Sequence, residues 1–188
     1  MIAFCPSRHP LSRPALSAAL AALLVAAPAA LAAPPLLQPA QLIAATPSDA
    51  RSAARVLAAR RYASFWSSGD PALARAALAP GFTDRTLPPG RAQGLPGALQ
   101  ASRTMRAAVP DLRCEIEQMI VAGDRVVVHL RFRGRFSGRY GALQGRGQAV
   151  EFLATDIYRI GEDKIDDNWH IEDNLGLMRQ LERAGGRG

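Results

Sequence analysis

The chain has only two cysteines, at 5 and 114. Cys5 lies in an N-terminal segment that reads as a removable leader, so a single thiol stays in the remaining chain and no intrachain disulfide can form there. A domain of this size does not need one. Histidine is scarce at three residues, and His9 falls in the same leader. With His129 and His170 left beside one cysteine, a zinc site is not expected. Gly-x-Ser-x-Gly, phosphate-loop and dinucleotide fingerprints are absent, which removes the common serine-hydrolase and nucleotide-binding classes. Lysine occurs once, at Lys164, and the other basic side chains are arginine. Base composition of a genome can produce that bias, so it carries no functional reading.

Acid is absent from residues 1–33. Arg8 and Arg13 precede an Ala/Leu run from Ala15 to Ala33, interrupted by Ser17 and Pro28 and passing through Ala30-Leu31-Ala32. A basic start, a short apolar run and small residues at its end describe a secretory signal peptide over 1–32. The expectation is cleavage, with the product periplasmic or secreted. The membrane would be met only through the uncleaved segment, since no other stretch is apolar enough to span it. Removal takes two arginines from the formal charge of +7.

Residues 33–47 are rich in Pro and Ala with little periodicity and read as a linker. Ser48 or Asp49 caps a helix to about Ser68, with Ala54, Ala58, Tyr62 and Phe65 on one stripe. Gly69 stops it. Asp70-Pro71 opens a second helix ending near 79–81, because Asp caps and Pro fits the first helical position. A brief strand at 82–86 and a Pro/Gly loop precede a third helix over 96–109, with Ala98, Ala101, Met105 and Ala108 inward. Period-two alternation follows. Leu112, Cys114 and Ile116 alternate with Arg113, Glu115 and Glu117. Past a Gly123-Asp124 turn, Val126, Val128, Leu130 and Phe132 share one face. Val127, His129, Arg131, Arg133 and Arg135 share the other, which reads as solvated. Strands at 148–160 and 164–173 form a hairpin around Glu162-Asp163. A short segment, Leu175–Leu181, and a Gly/Arg-rich tail at 185–188 end the chain. Helices first and antiparallel strands afterwards imply α+β: a curved antiparallel sheet wrapped by three N-terminal helices, with a pocket at its concave face.

The last hairpin carries the chemistry. Pairing Ile160 with Ile165 and Phe152 with Asp173 puts Phe152, Ala154, Asp156, Tyr158, Ile165, Asp167, Trp169, Ile171 and Asp173 on one face. Thr155, Arg159, Asp166, Asn168, His170 and Glu172 fall on the other. A one-residue slip would exchange the faces of one strand. Spacing alone leaves two readings of Asp173: a carboxylate made proton-active by Trp169 and Ile171, or a cap of the segment that follows. Asp156 would stand about 13 Å from Asp173 along the strand, too far to share a proton. Asp156 and Asp167, diagonal at roughly 7–8 Å, suit a shared arginine, and Asp156 is carried as a second acid/base candidate. His170 alternates away from Asp173. Arginine-rich strands could attract anions, but export argues against nucleic acid.

Pro110-Asp111, Ile116-Glu117 and Ala122-Gly123-Asp124-Arg125-Val126, then Gly134 and Gly138, resemble the SnoaL-like polyketide cyclases of the nuclear-transport-factor-like superfamily. Ile157-Tyr158-Arg159-Ile160, Lys164-Ile165, Trp169, Asp173-Asn174-Leu175-Gly176-Leu177 and Gln180-Leu181 are similar to that family's ending. The resemblance covers about residues 52 to 182, within a domain set at 48–184. It implies a cone-shaped α+β barrel with a deep apolar pocket and ring closure of a carbonyl-containing apolar substrate by aldol-type proton transfer, without cofactor. It implies Asp173 as acid/base and Trp66, Phe82, Tyr158, Trp169 and His170 as pocket residues. Two family histidines are replaced, by Arg85 and Phe136. The expected activity is therefore an ester cyclase or isomerase. The alternative is an exported small-molecule-binding protein without chemistry, and a third reading is a hydrolase activating water between Asp156 and Arg159. A homodimer through the open sheet face is expected to cover apolar surface.

Overall fold

The computed structural model describes residues 35–44 and 49–183. The expected leader at 1–32, the ends of the expected linker and the tail at 185–188 lie outside these residues.

Part of the expected linker is a strand. β1 (Pro39–Ala44) pairs in parallel with β3 (Arg113–Ala122). It is an edge strand, largely exposed on both sides, so no alternation of apolar residues marks it. Its approach is fixed to the first helix, where Arg60 Nε donates to Leu37 O at 2.7 Å and Leu37 N–H donates to Ser64 Oγ at 2.9 Å.

α1 (Ala50–Ser68) begins where the Asp49 carboxylate accepts from Ser52 N–H at 2.6 Å. It ends at Gly69, whose φ of 76° is the left-handed turn that glycine adopts without penalty. Ala58, Tyr62 and Phe65 are buried as the stripe predicts. α2 (Pro71–Ala77), capped by Asp70, stops earlier than the sequence suggests because Leu78 already has extended backbone and opens β2 (Leu78–Asp84). α3 (Gly94–Ala108) lies close to the predicted span.

β3, β4 (Arg125–Phe136), β7 (Gln148–Ile160) and β8 (Ile165–Glu172) form the antiparallel centre of a six-stranded sheet in the order β1-β3-β4-β7-β8-β2, and β5 (Arg139–Tyr140) with β6 (Leu143–Gln144) makes a small separate hairpin. The sheet is mixed rather than wholly antiparallel. β1 and β2 join its two edges in parallel, each beside a strand distant in sequence. A bulge near Glu117 resets β3, so Cys114 and Ile116 before it and Met119 and Val121 after it all face the core. Four helices and this sheet make an α+β cone. Its concave core is built from Val126, Val128, Leu130 and Phe132 of β4 with Val150, Phe152 and Tyr158 of β7. At Gly138 a Cβ would stand 1.8 Å from Ala107 O, so glycine is what lets the chain leaving β4 lie against the end of α3.

The outer face is charged where the sequence placed a solvated face. Arg131 pairs with Glu117 and Glu151, and Arg133 with Glu115 and Glu151. Beside that ladder Ile120, Val127, Ile157 and Trp169 lie in register across four strands.

The hairpin register departs from expectation. Ile160 does pair with Ile165, but a bulge follows and the strands slip by one: Arg159 faces Asp167, Asp156 faces His170 and Ala154 faces Glu172. The extra residue lets Asp166 and Asp167 both reach Arg159. The slip turns Asn168, His170 and Glu172 toward the concave side and sends Trp169, Ile171 and Asp173 away from it. Ile171 is 77% exposed, and Trp169 lies under the Arg125 guanidinium at 5.8 Å.

α4 (Asn174–Arg183) seats Leu177 and Leu181 against the core. Gln180 accepts from Glu151 N–H at 2.8 Å and donates to Glu151 O at 2.6 Å, completing a stretch of β7 that β8 does not reach.

Candidate active site

A cavity of about 240 Å³ lies between the concave face, α1, α3 and the loop after β2. Its apolar wall is a run of rings. Phe132 and Phe152 stack at 4.8 Å, Trp66 meets Phe132 edge-on at 6.5 Å, and Tyr62 touches Trp66 and Phe82. α1 presents Tyr62 and Trp66 one helical turn apart, and α3 adds Ala101 and Met105. Trp66 and Phe82 therefore line the cavity as expected. Tyr158 lies beneath the wall, fully buried and edge-on to Tyr62. Trp169 is on the outer face and is removed from the pocket residues.

Asp173 is also removed. It is exposed, and its carboxylate accepts from Gly176 N–H at 2.8 Å while its carbonyl accepts from Leu177 N–H. This is a helix cap, the second of the two readings its spacing allowed. The slipped register is the reason it does not face the cavity.

Asp156 does face it, 7% exposed. Asn168 Nδ2 donates to its Oδ1 at 3.0 Å. No arginine or lysine pairs with it among the described residues, and it is not the arginine partner expected beside Asp167. Burial pushes its carboxyl up to about 6, against the opposing hydrogen bond from Asn168. Asn168 Oδ1 is buried without a partner.

His170 lies on the cavity wall between two carboxylates. Nε2 is 3.0 Å from Asp84 Oδ1, and Nδ1 is 2.6 Å from Glu172 Oε1. Burial opposes its charge, but the two carboxylates outweigh this and raise it to about 10. It is therefore an imidazolium at neutral pH, with both N–H groups engaged. Burial would raise Asp84 and Glu172, yet the hydrogen bonds from His170 leave both lowered. Asp84 is held in turn by Thr86 N–H on Oδ1 at 3.0 Å, and by Gln93, which accepts from Asp84 N–H and donates to Asp84 O. Tyr62 is raised by burial and then by Asp156, so its hydroxyl keeps its proton.

Asp84, Asn168 and Glu172 were not among the sequence candidates. Asn168 and Glu172 share the period-two polar face of His170, the signal that could have found them, but the apolar Trp169 and Ile171 on the opposite face point the other way. Arg85, at a family histidine position, turns outward to Asp167 with Nε at 2.6 Å from Oδ1. Phe136, at the other, is fully buried. Arg159 also binds Asp167 on the outer side, so the Asp156–Arg159 water-activating pair does not form. Among the described residues no His/Cys/Asp/Glu group is arranged to hold a metal.

An α+β cone with a ring-lined chamber on its concave face is the fold of the nuclear-transport-factor type. The chain belongs to the SnoaL-like polyketide cyclase family, matching it over residues 56–181. It is similar to a candidate polyketide cyclase from Bacillus cereus ATCC 10987, at 34% identity and a TM-score of 0.70, over 78% of this chain and 93% of that one. TsrD from Streptomyces laurentii is 26% identical with a TM-score of 0.63, over 71% and 97%. A candidate SnoaL-like polyketide cyclase from Jannaschia sp. CCS1, 19% identical with a TM-score of 0.63 over 72% and 96%, shows the shared fold. No curated protein shows a significant match.

Proposed function

We propose that the protein is a proton-transfer enzyme of the cyclase/isomerase type, acting on a carbonyl compound with Asp156 as its acid/base. One observation carries this reading: Asp156 is buried on the chamber wall without a cationic partner, which sets its carboxyl near 6. Above that pH it is a carboxylate able to take a proton from carbon next to a carbonyl, and it can return the proton later. Negative charge then grows on the carbonyl oxygen. The Tyr62 hydroxyl, which keeps its proton and borders the same chamber, can donate to that oxygen. His170, engaged at both ring nitrogens by Asp84 and Glu172, has no free N–H for the substrate and carries its charge inside a group of net negative charge, so it holds the wall in place rather than binding the oxyanion. The ring wall holds the apolar part of the substrate and excludes water. Export remains part of the reading on the composition of the leader. A homodimer would cover the Ile120, Val127 and Ile157 strip of the outer face.

The test is α-proton exchange of aryl methyl ketones in D₂O, followed by NMR. Exchange should be catalysed, rise through pH about 6, and fall by about 10²–10⁴-fold in Asp156→Asn. Ketones that bind the wild type but exchange no faster than in buffer would replace this reading with the non-catalytic binding protein.

A further inference from the structure

A second cavity of about 220 Å³ adjoins the chamber. The two share Pro88, Arg91, Ala101, Met105 and Tyr140 as lining. Their charges differ sharply. The inner chamber has three carboxylates, and its His170 is taken up at both ring nitrogens. The outer cavity has no acidic residue in its wall, and Arg91 is its single charged side chain, accompanied by the polar Gln100 and Thr104. Arg91 sits just beyond Pro88-Pro89-Gly90. Its N–H donates to Pro88 O at 3.2 Å and Gly90 has a φ of 80°, so a tight turn sets the arginine in the wall that the two cavities share. No hydrogen bond or ion pair engages its guanidinium among the described residues. It acts on Asp84 and Glu172 only as a charge at a distance.

We propose that Arg91 is the head-group site of this enzyme, and that the substrate is an amphipathic carboxylate. Its apolar, carbonyl-bearing part lies in the inner chamber, and its carboxylate sits in the outer cavity on Arg91. This rests on the chamber being the substrate site of the proton-transfer reading. A guanidinium matches a carboxylate through two parallel N–H donors, and the absence of a competing acid in the outer wall leaves those donors available. The same charge arrangement sets orientation. The inner carboxylates repel an anionic end, so the molecule enters apolar end first and its carbonyl is delivered toward Asp156.

The experiment compares 2-naphthoate with naphthalene-2-carboxamide, a neutral isostere, by calorimetry on the full chain. The wild type should bind the carboxylate about tenfold tighter than the amide, and the preference should shrink with added salt. Arg91→Gln should remove the preference while amide affinity stays within about twofold, which also shows that the variant is folded. Equal binding of the two probes by the wild type, or a preference that survives Arg91→Gln, overturns the proposal. If neither probe binds the wild type, the chamber is not the site and both readings fall. Equal binding of the two probes by the wild type, beside Asp156-dependent proton exchange, overturns this inference alone. A wild-type preference that Arg91→Gln removes, with no catalysed exchange, overturns the proton-transfer reading alone.

Discussion

Asp156 and Asp167 stand on adjacent strands of one hairpin, 7% and 2% exposed, and their carboxyls move in opposite directions. Burial works to raise both. At Asp156 it wins, because the Asn168 amide, the His170 charge and the Tyr158 hydroxyl answer it only in part, and the carboxyl rises to about 6. At Asp167 burial is outweighed by Arg85 and Arg159, and the carboxyl is lowered. Both side chains are shut off from solvent, yet Asp156 lies deep behind the concave face while Asp167 lies near the outer surface beneath its arginines. The outer side is supplied with arginines; the concave side has rings. A proton-active acid needs the burial without the cation, and one bulge puts these two aspartates on opposite sides of that condition.

The largest break in this contrast should come from His170, the one cation fixed on the concave side. His170→Gln leaves Asp84 and Glu172 facing each other across the gap, and breaking such a buried group costs about 3 kcal/mol. Its folded value near 10 lies above the usual 6.5, so its stabilisation is complete below about pH 6.5 and is lost as pH rises through about 10. Denaturant melts should show the full deficit at pH 6 and a narrowing one toward pH 10. A deficit independent of pH would mean that packing, not the charged triad, is what His170 contributes.

Asp156→Asn should move stability the other way. The folded carboxyl titrates near 6 against an ordinary 3.8, so the folded state holds the proton more tightly. The wild type is thus most favoured below about pH 4 and loses stability as pH rises through about 6. Asparagine never ionises, so the variant should be more stable than wild type at pH 8 by about 3 kcal/mol, with the gap closing near pH 4. A gap of the same size at pH 4 would refute the raised value, and with it the contrast with Asp167.

Much of the fold was legible in the sequence because local rules agree with it. The Asp49 and Asp70 caps, the Gly69 stop, the α1 stripe and the β4 alternation all sit where the residues indicate. β1 was not legible, since an exposed edge strand has no buried face to write a period. The site was half legible. Trp66, Phe82, Asp156 and His170 line the chamber, while Tyr158, Trp169 and Asp173 do not. Tyr158 is lost to depth, since it lies beneath the wall, and Trp169 and Asp173 are lost to register. Strand pairing has period two, so the bulge at Arg159–Ile160 inverted every later inference on β8, and apolarity pointed the wrong way at Trp169 and Ile171. Their hydrophobic character is used outside, in the cation contact of Trp169 with Arg125 and in exposed surface at Ile171.

Asp173 supplies the smallest and most selective test of that inversion. The family resemblance makes it the acid/base, while its position makes it the cap of α4. The two roles predict different losses from Asp173→Ala. A cap is worth about 1 kcal/mol, so the melting point should fall modestly, and proton exchange per folded molecule should not change. Asp173→Ser, which can still accept from Gly176 N–H, should recover most of that stability. A catalytic aspartate would show the reverse: exchange lost in both variants, whatever their stability. Because Gly176 would place a Cβ only 2.1 Å from Asp173 Oδ2, Gly176→Ala should mimic the cap loss from the other partner. Agreement between Asp173→Ala and Gly176→Ala in melting, with exchange intact in both, would fix Asp173 as structure and leave Asp156 as the proton-active carboxylate of the hairpin.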